Sequence, residues 1–391
     1  MNARLETLTA SFQEHFGIKP SQFFTSSGRM EIVGNHTDHQ GGCVLVAAIN
    51  LLMVAAVSKR NDKKIVVFSE GYPPFEVDLS DLAIHETEIN KSCAILRGVS
   101  ARFRELGYRI GGMSIVMSSD IKPGAGVSSS ASFELLIGNI MNHLYNDGNI
   151  PKQTLAYIAQ YAENRYFGKP SGLLDQMGIA LGGINYIEFA DKKYPLVEPV
   201  PYDFSDLRFL IINTGGSHTD LTVHYSSIKD DMHRIAAHFG ADRLIEVTTE
   251  QFHVAIATLV KEYGAMATNR ALHFFEENER VRLVKYALMK GDRQQFLRWV
   301  NHSGRSSENL LKNITFDGDV DKKMLNGIRF CQEHVHDGAY RVHGGGFAGT
   351  ILVIIPQQSL TEFLSSAERY FGKGNVLQVD IVQEGIAQIH S

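Results

Sequence analysis

The stretch KPGAGVSSSASFE, Lys122 to Glu134, joins the strand-like run GGMSIVMSSDI to a helix, and the chemistry of that join decides which folds the chain can adopt. Gly124 and Gly126 precede a segment in which Phe133, Leu136, Ile137, Ile140, Met141 and Leu144 recur as one face of a buried helix. Glycines let a backbone approach a ligand closely, and the first turn of a helix offers unpaired N–H groups and the positive end of its dipole. With Ser128, Ser129 and Ser130 in that turn, the segment suits an anion such as the phosphates of a nucleotide. Read more plainly, it is a strand-to-helix turn with serine caps. Neither GxxxxGK[ST] nor GxSxG occurs in the chain, so a P-loop and a nucleophile elbow are both unsupported.

Outward from this join, MEIVG, CVLVAAINLLMVAAVS and KKIVVFSEG read as strands, the last two connected by the turn KRNDK. KQTLAYIAQYAENRYFG is a second amphipathic helix, ended by Gly168 and Pro170. INYIEFA and LRFLIINTGG are strands, and residues 220–313 are mostly helical in pattern. Then follow two strands (AYRVHGGG and TILVIIP), a helix (LTEFLSSAERYF) and a strand (NVLQVDIV). Strands and helices are mixed, not regularly alternating, which predicts an α+β fold. A chain of 391 residues is long for one core, so two domains are expected. The prolines of YPLVEPVPYD place the boundary near Pro195–Asp203, dividing the chain into 1–197 and 198–391.

A net charge of −5 gives no reason to expect nucleic acid or an anionic membrane as a partner. Cys43, Cys93 and Cys331 lie far apart and cannot all pair, which suits a reducing cytoplasm. The polar N-terminus lacks the apolar core of a signal peptide, and no apolar run is long enough to span a bilayer. A cytoplasmic protein is expected. The oligomeric state is open, a monomer among the options.

Three further stretches carry candidate chemistry. In GRMEIVGNHTDHQGG, Gly28 to Gly42, His36, Asp38 and His39 stand beside Arg29, Glu31 and Asn35. Such a cluster is a metal site, a clamp for a polar substrate, or a polar turn. H-x-D-H could supply three ligands to a transition metal for hydrolysis, but ligands so close on a turn rarely converge without a distant partner. In GKPSGLLDQMGIALGG, Asp175 either caps a helix or acts as a general base. In VHGGGFAG, Gly344, Gly345 and Gly346 mark a close backbone approach.

These four motifs, in this order and approximate spacing, resemble those of galactokinases, members of the GHMP small-molecule kinase superfamily. The resemblance spans nearly the whole chain. It implies two α+β lobes, the C-terminal one ferredoxin-like, with the active site in the cleft between them. It implies a sugar 1-kinase using ATP and Mg²⁺, with galactose as the expected sugar. Gly124, Ala125, Gly126, Val127, Ser128, Ser129 and Ser130 would hold the ATP phosphates, with Ser130 and Glu163 as Mg²⁺ ligands. Asp175 would be the base on the C1 hydroxyl, and Arg29 would stabilise both that carboxylate and the transferring phosphoryl. Asp38 would accept from the C3 and C4 hydroxyls, with Asn35, His36, Gly172 and Tyr225 as further sugar contacts. Gly344 to Gly346 would support the sugar side of the cleft and the γ-phosphate. His39 is expected to be a bystander.

The chain departs from the family pattern at several positions. Asn35 stands where many members have a glutamate that meets the C6 hydroxyl, and His39 where they have tyrosine. That substitution leaves room for a galacturonic acid or N-acetylgalactosamine kinase. Ser27 and Lys122 replace prolines, Ala348 replaces a glycine, and Ser92 stands near the place of a tryptophan that packs on adenine. Retention of Arg29, Ser130, Glu163 and Asp175 argues against a non-catalytic sugar sensor on the same fold.

Overall fold

The structure, a computed structural model, describes residues 1–121, 124, 126–215, 221–347 and 349–389. In chain order the helices are α1 (Asn2–Phe16), α2 (Ser92–Glu105), α3 (Ser129–Asn146), α4 (Lys152–Ala162), α5 (Leu174–Leu181), α6 (Thr222–His238), α7 (Thr249–Met289), α8 (Arg293–Ser306), α9 (Lys323–His334) and α10 (Leu360–Phe371). The strands are β1 (Gln22–Val33), β2 (Cys43–Lys59), β3 (Lys64–Ser69), β4 (Phe75–Asp78), β5 (Met113–Ser119), β6 (Ile184–Glu188) and β7 (Leu196–Val200), then β8 (Leu207–Asn213), β9 (Ala339–His343), β10 (Thr350–Pro356), β11 (Val376–Val379) and β12 (Ile386–Ile389).

The larger sheet runs β12-β1-β2-β5-β3-β4, with β6 paired to the other end of β2 and β7 to β6. All neighbours are antiparallel except β3 and β5. Strand β2 is an almost unbroken apolar run because both of its faces are covered. Val54 and Ala56 pack with Leu8 and Phe12 of α1. Val44 to Ala47 belong to the main core, which they share with Leu135, Leu136 and Ile140 of α3 and Met177 of α5. Helix α3 goes beyond its expected single apolar face: Glu134, Gly138, Asn139 and Asn142 are buried too, because the helix runs through the centre of the lobe.

Two elements carried weak sequence signals. The polar start of β1, TSSG, is held as strand by β2 and β12 on either side, with a bulge between Ser27 and Gly28. Helix α2 buries Ile95, Leu96, Val99 and Phe103, but its arginines obscure that face; buried Arg97 is neutralised by Glu88 at 2.7 Å.

The second sheet runs β11-β8-β10-β9, all antiparallel. With α9 and α10 it follows the β-α-β-β-α-β plan of ferredoxin-like folds. Helices α6, α7 and α8 are inserted before α9, and Ile228, Met232, Phe252 and Phe274 form a core between α6 and α7. Helix α7 breaks direction at Gly264 (φ 86). The α+β class expected from the mixed order of elements is what the sheets display.

A division between residues 197 and 198 would cut through β7, an edge strand that tolerates Pro199 because only β6 pairs with it. Strand β12 also returns to the first sheet. The two sheets meet where β9 lies against β1. Arg341, with no exposed surface, donates to Glu31 Oε1 at 2.8 Å and to the Ile32 carbonyl at 3.0 Å. Among the described residues no helix is long and apolar enough to cross a membrane.

Candidate active site

Helix α3 begins at Ser128, whose φ of 65 is left-handed and whose hydroxyl does not cap the helix. It donates instead to Asp175 Oδ2 at 2.6 Å. The plain reading of the serines as caps therefore fails at this position. Asp175, in the first turn of α5, does not cap that helix either. Its other oxygen accepts from Arg29 Nε at 2.8 Å, and Arg29 Nη1 donates to the Gly126 carbonyl at 2.6 Å. Burial would raise the Asp175 pKa, but Arg29 and Lys169 beside it outweigh burial and hold it at about 2. Val127 is buried, and its carbonyl accepts from the Arg29 N–H at 3.2 Å, anchoring the loop on β1. Gly124 is exposed; Ala125, like Lys122 and Ala348, lies outside the described residues.

Behind this loop stands Glu163, fully buried where α4 ends in a wider turn, Glu163–Phe167. Its Oε1 accepts from Ser130 Oγ at 2.7 Å and Lys169 Nζ at 2.8 Å. Its Oε2 accepts from Ser171 Oγ at 2.5 Å and Gln176 Nε2 at 2.8 Å. Gln176 also donates to Glu134 at 3.1 Å. Burial, with Glu163 next to it, pushes Glu134 well above the carboxylate range.

One residue beyond Ser171, a β-carbon on Gly172 would stand 1.8 Å from Asp38 Oδ2, so only glycine lets the Asp38 carboxylate lie there. Burial, reinforced by the charges of Asp175 and Glu31, raises Asp38 to about 6 although the His39 N–H bonds to it. His36, at φ 57, donates from Nε2 to the Gly345 carbonyl at 3.0 Å, and burial lowers its pKa, leaving it neutral. The ring of Tyr225 lies against Gly345, and its hydroxyl donates to the Gly346 carbonyl at 3.2 Å. Gly344 lies near Arg29.

Asn35 departs from expectation. Its amide donates to Glu31 at 3.1 Å and to the Gly344 carbonyl at 2.7 Å. Its oxygen accepts from Asn313 at 2.8 Å and Ser307 at 3.2 Å. Fully buried, with both donors and its acceptor spent on protein, it has no hydrogen-bonding capacity left for a sugar. Asn35 thus ties β1 and the glycine loop to the residues that follow α8.

Sequence reasoning missed the residues that hold the turn after β1. Glu277 of α7 accepts from the Gly34 N–H at 3.0 Å, the Asn35 N–H at 3.4 Å and Ser303 at 2.5 Å, and pairs with Arg280 at 2.7 Å. Burial opposes its charge, but the guanidiniums of Arg280 and Arg341 hold it well below the carboxylate range. His273 donates to the Asn35 carbonyl at 2.9 Å and accepts from Ser306 at 2.8 Å; burial takes its pKa to about 4, so it is neutral. His343 accepts from the Glu31 N–H at 3.0 Å and donates to Thr350 at 3.0 Å.

The metal-hydrolase alternative finds no support in geometry. Among the described residues no group of three or more His, Cys, Asp or Glu side chains converges as a metal centre. Both ring nitrogens of His39 are buried and make no hydrogen bond.

Comparison with known proteins accords with the motifs. The family description "GHMP kinases N terminal domain" matches residues 94–183, and "Galactokinase galactose-binding signature" matches residues 10–59. The chain is 31% identical over 369 residues to a galactokinase of Streptococcus suis, covering 92% of this chain and 91% of that protein. It is 30% identical over 375 residues to a galactokinase of Enterococcus faecalis, covering 92% of each. The solved Lactococcus lactis galactokinase complexed with galactose shares the fold with a TM-score of 0.85 at 24% identity, covering 98% of this chain and 100% of that one. A mevalonate kinase structure shares it with a TM-score of 0.67 at 14% identity, covering 93% of this chain and 100% of that one.

Proposed function

The chain belongs to the galactokinase family, and from that premise we propose that it transfers the γ-phosphoryl of ATP to the C1 hydroxyl of D-galactose. The products are galactose 1-phosphate and ADP. The observation that carries this is the convergence of Arg29 and Ser128 on Asp175, in a site that also holds Asp38 against Gly172.

The loop from Gly124 through Ala125, Gly126, Val127, Ser128 and Ser129 to Ser130 seats the ATP phosphates on backbone N–H groups and the α3 dipole. Ser130 and Glu163 bring two hard oxygens within 2.7 Å of each other, one of them on a buried carboxylate. That donor set suits Mg²⁺, and these two residues would hold it. When bound, Mg²⁺ neutralises charge on the phosphates. Asp38 accepts from the C3 and C4 hydroxyls, with His36, Gly172 and Tyr225 around the ring and Gly344 to Gly346 behind it.

Asp175 takes the C1 proton as the new P–O bond forms and the bond to the ADP oxygen breaks, then returns the proton to water. At a pKa of about 2 it is a weak acceptor, so the transfer comes late, once bonding to phosphorus has acidified the hydroxyl. Positioning and charge therefore dominate the rate. Arg29 orients Asp175 and faces the group in transit.

A substrate altered at C6 was suggested only by Asn35, whose amide is spent inside the protein; galactose is the better reading over galacturonic acid or N-acetylgalactosamine. We place the reaction in the cytoplasm, the three cysteines being free, with neither nucleic acid nor membrane as partner. The lobes divide in the segment 201–206, between β7 and β8. A coupled ADP-release assay over hexoses and acidic sugars tests the proposal. Galactose should far exceed glucose, which differs at C4; efficient glucose turnover, or a preferred C6 carboxylate, would refute it.

A further inference from the structure

Lys169 has no part in the chemistry assigned so far. Its N–H donates to the Glu163 carbonyl at 3.1 Å, fixing its Cα beside the cleft between Gly168 and Pro170. From there the side chain turns inward and sets Nζ 2.8 Å from Glu163 Oε1. The two partners differ in exposure: half of the Lys169 side chain (50%) is open, and none of Glu163 is. Its positive charge also acts on Asp175 and on Tyr225.

That ammonium stands on the oxygen that also accepts from Ser130, the pair given above to Mg²⁺. An ammonium and a divalent cation cannot crowd onto one carboxylate oxygen without strong repulsion. The lysine can yield, because its head rides on a flexible four-carbon stem while its backbone stays pinned. Arg29, by contrast, is committed through Nε to Asp175 and through Nη1 to the Gly126 carbonyl. The transferring phosphoryl spreads negative charge over three oxygens and calls for a mobile cation.

We infer that Lys169 is a catalytic cation with two stations: on Glu163, as the structure shows it, and on the transferring phosphoryl when Ser130 and Glu163 would be holding Mg²⁺. This rests on the kinase reading. The ammonium gains and loses no proton; it compensates charge that accumulates as the bond to ADP breaks.

Lys169→Met keeps the stem and removes the charge at a half-exposed position, and Lys169→Arg keeps the charge with a tighter grip on carboxylate. Two measurements apply to each: steady-state turnover, and calorimetric binding of Mg²⁺ with a non-hydrolysable ATP analogue in the absence of sugar. In Lys169→Met, kcat should fall about a hundredfold with the galactose KM within about threefold. Its half-saturating Mg²⁺ should fall about fivefold or more, because the competitor is gone. Lys169→Arg should retain more turnover and need more Mg²⁺ than the unmodified protein. Unchanged kcat in Lys169→Met, or half-saturating Mg²⁺ that stays level or rises, overturns the inference. If the unmodified protein phosphorylates no sugar, the kinase reading fails, while the binding arm still decides whether Lys169 competes with the metal.

Discussion

A β-carbon on Gly126 would stand 2.2 Å from Oγ1 of Thr350, so the glycine–serine loop before α3 touches the first residue of β10 in the other sheet. Gly126→Val should therefore act twice. It should weaken ATP binding at least tenfold, and it should lower Tm by several degrees, since overpacking typically costs about 1–3 kcal/mol and φ is +70 there. Calorimetry and thermal melts separate the effects. Unchanged ATP affinity would reduce the loop to a structural turn.

Asp175→Asn should leave the fold and ATP binding intact and cut turnover about a hundred- to ten-thousand-fold. Arg29→Lys should not restore normal rates, because a point charge cannot bond Asp175 and the Gly126 carbonyl together. Near-normal turnover in folded Asp175→Asn would remove it from the mechanism.

The acid limit of sugar binding should come from Asp38. Held at about 6, it loses its charge, and with it half of its capacity to accept from paired hydroxyls, as the pH falls through 6. Asp175, held at about 2, stays ionised throughout that range. Galactose affinity measured by calorimetry should weaken below pH 6. In Asp175→Asn the midpoint should move lower, because a neighbouring negative charge is gone. A pH-independent affinity between 5 and 8 would contradict this.

Stability at the same residue should run the other way. A carboxyl whose folded pKa exceeds its unfolded value stabilises the protein at low pH, and that contribution is lost as pH rises from about 4 through 6. Asp38→Asn should then raise Tm at neutral pH while abolishing galactose binding, a trade of stability against function. A lowered Tm in that variant would mean that the charge is compensated in the fold.

Glu277→Gln leaves Arg280 without its buried counter-charge and should cost about 3–5 kcal/mol. Because Glu277 holds the Gly34 and Asn35 N–H groups, the galactose KM should rise at least tenfold with the ATP KM little changed. Equal changes in both constants would show a general loosening, not a specific support of the clamp.

That Arg29, Asp175, Ser130 and Glu163 stand beside the glycine–serine loop, and Asp38 beside Gly172, was legible in the sequence, because each sits in a short, locally coherent motif. Their mutual supports were not. Glu277 meets Asn35 across 242 residues, and Arg341 meets Glu31 across 310, distances over which spacing carries no information. The hydrogen bonds of Asn35 were illegible for the same reason: apart from Glu31, its side-chain partners Ser307, Asn313 and Gly344 lie more than 270 residues away. His36, Asp38 and His39 looked like a ligand set in one dimension, yet His36 turns to Gly345 while the His39 ring is buried. Among the departures, Ser27 leaves its hydroxyl buried without a partner, and nothing in the structure explains that choice.

Strand β12 lies along β1 with Phe23 opposite Ile389 and Ser26 opposite Ile386, and the Gly385 carbonyl receives the Ser27 N–H at 2.8 Å. The strand that carries Arg29 is thus walled on one side by residues synthesised more than 350 positions later. During vectorial synthesis the larger sheet must wait with an open edge, and such non-local closure is slow and exposes unpaired strand groups to aggregation. The nascent chain is expected to depend on chaperones until residue 389 clears the ribosome. A fragment ending before Gly385 should accumulate as aggregate, not as a half-active enzyme.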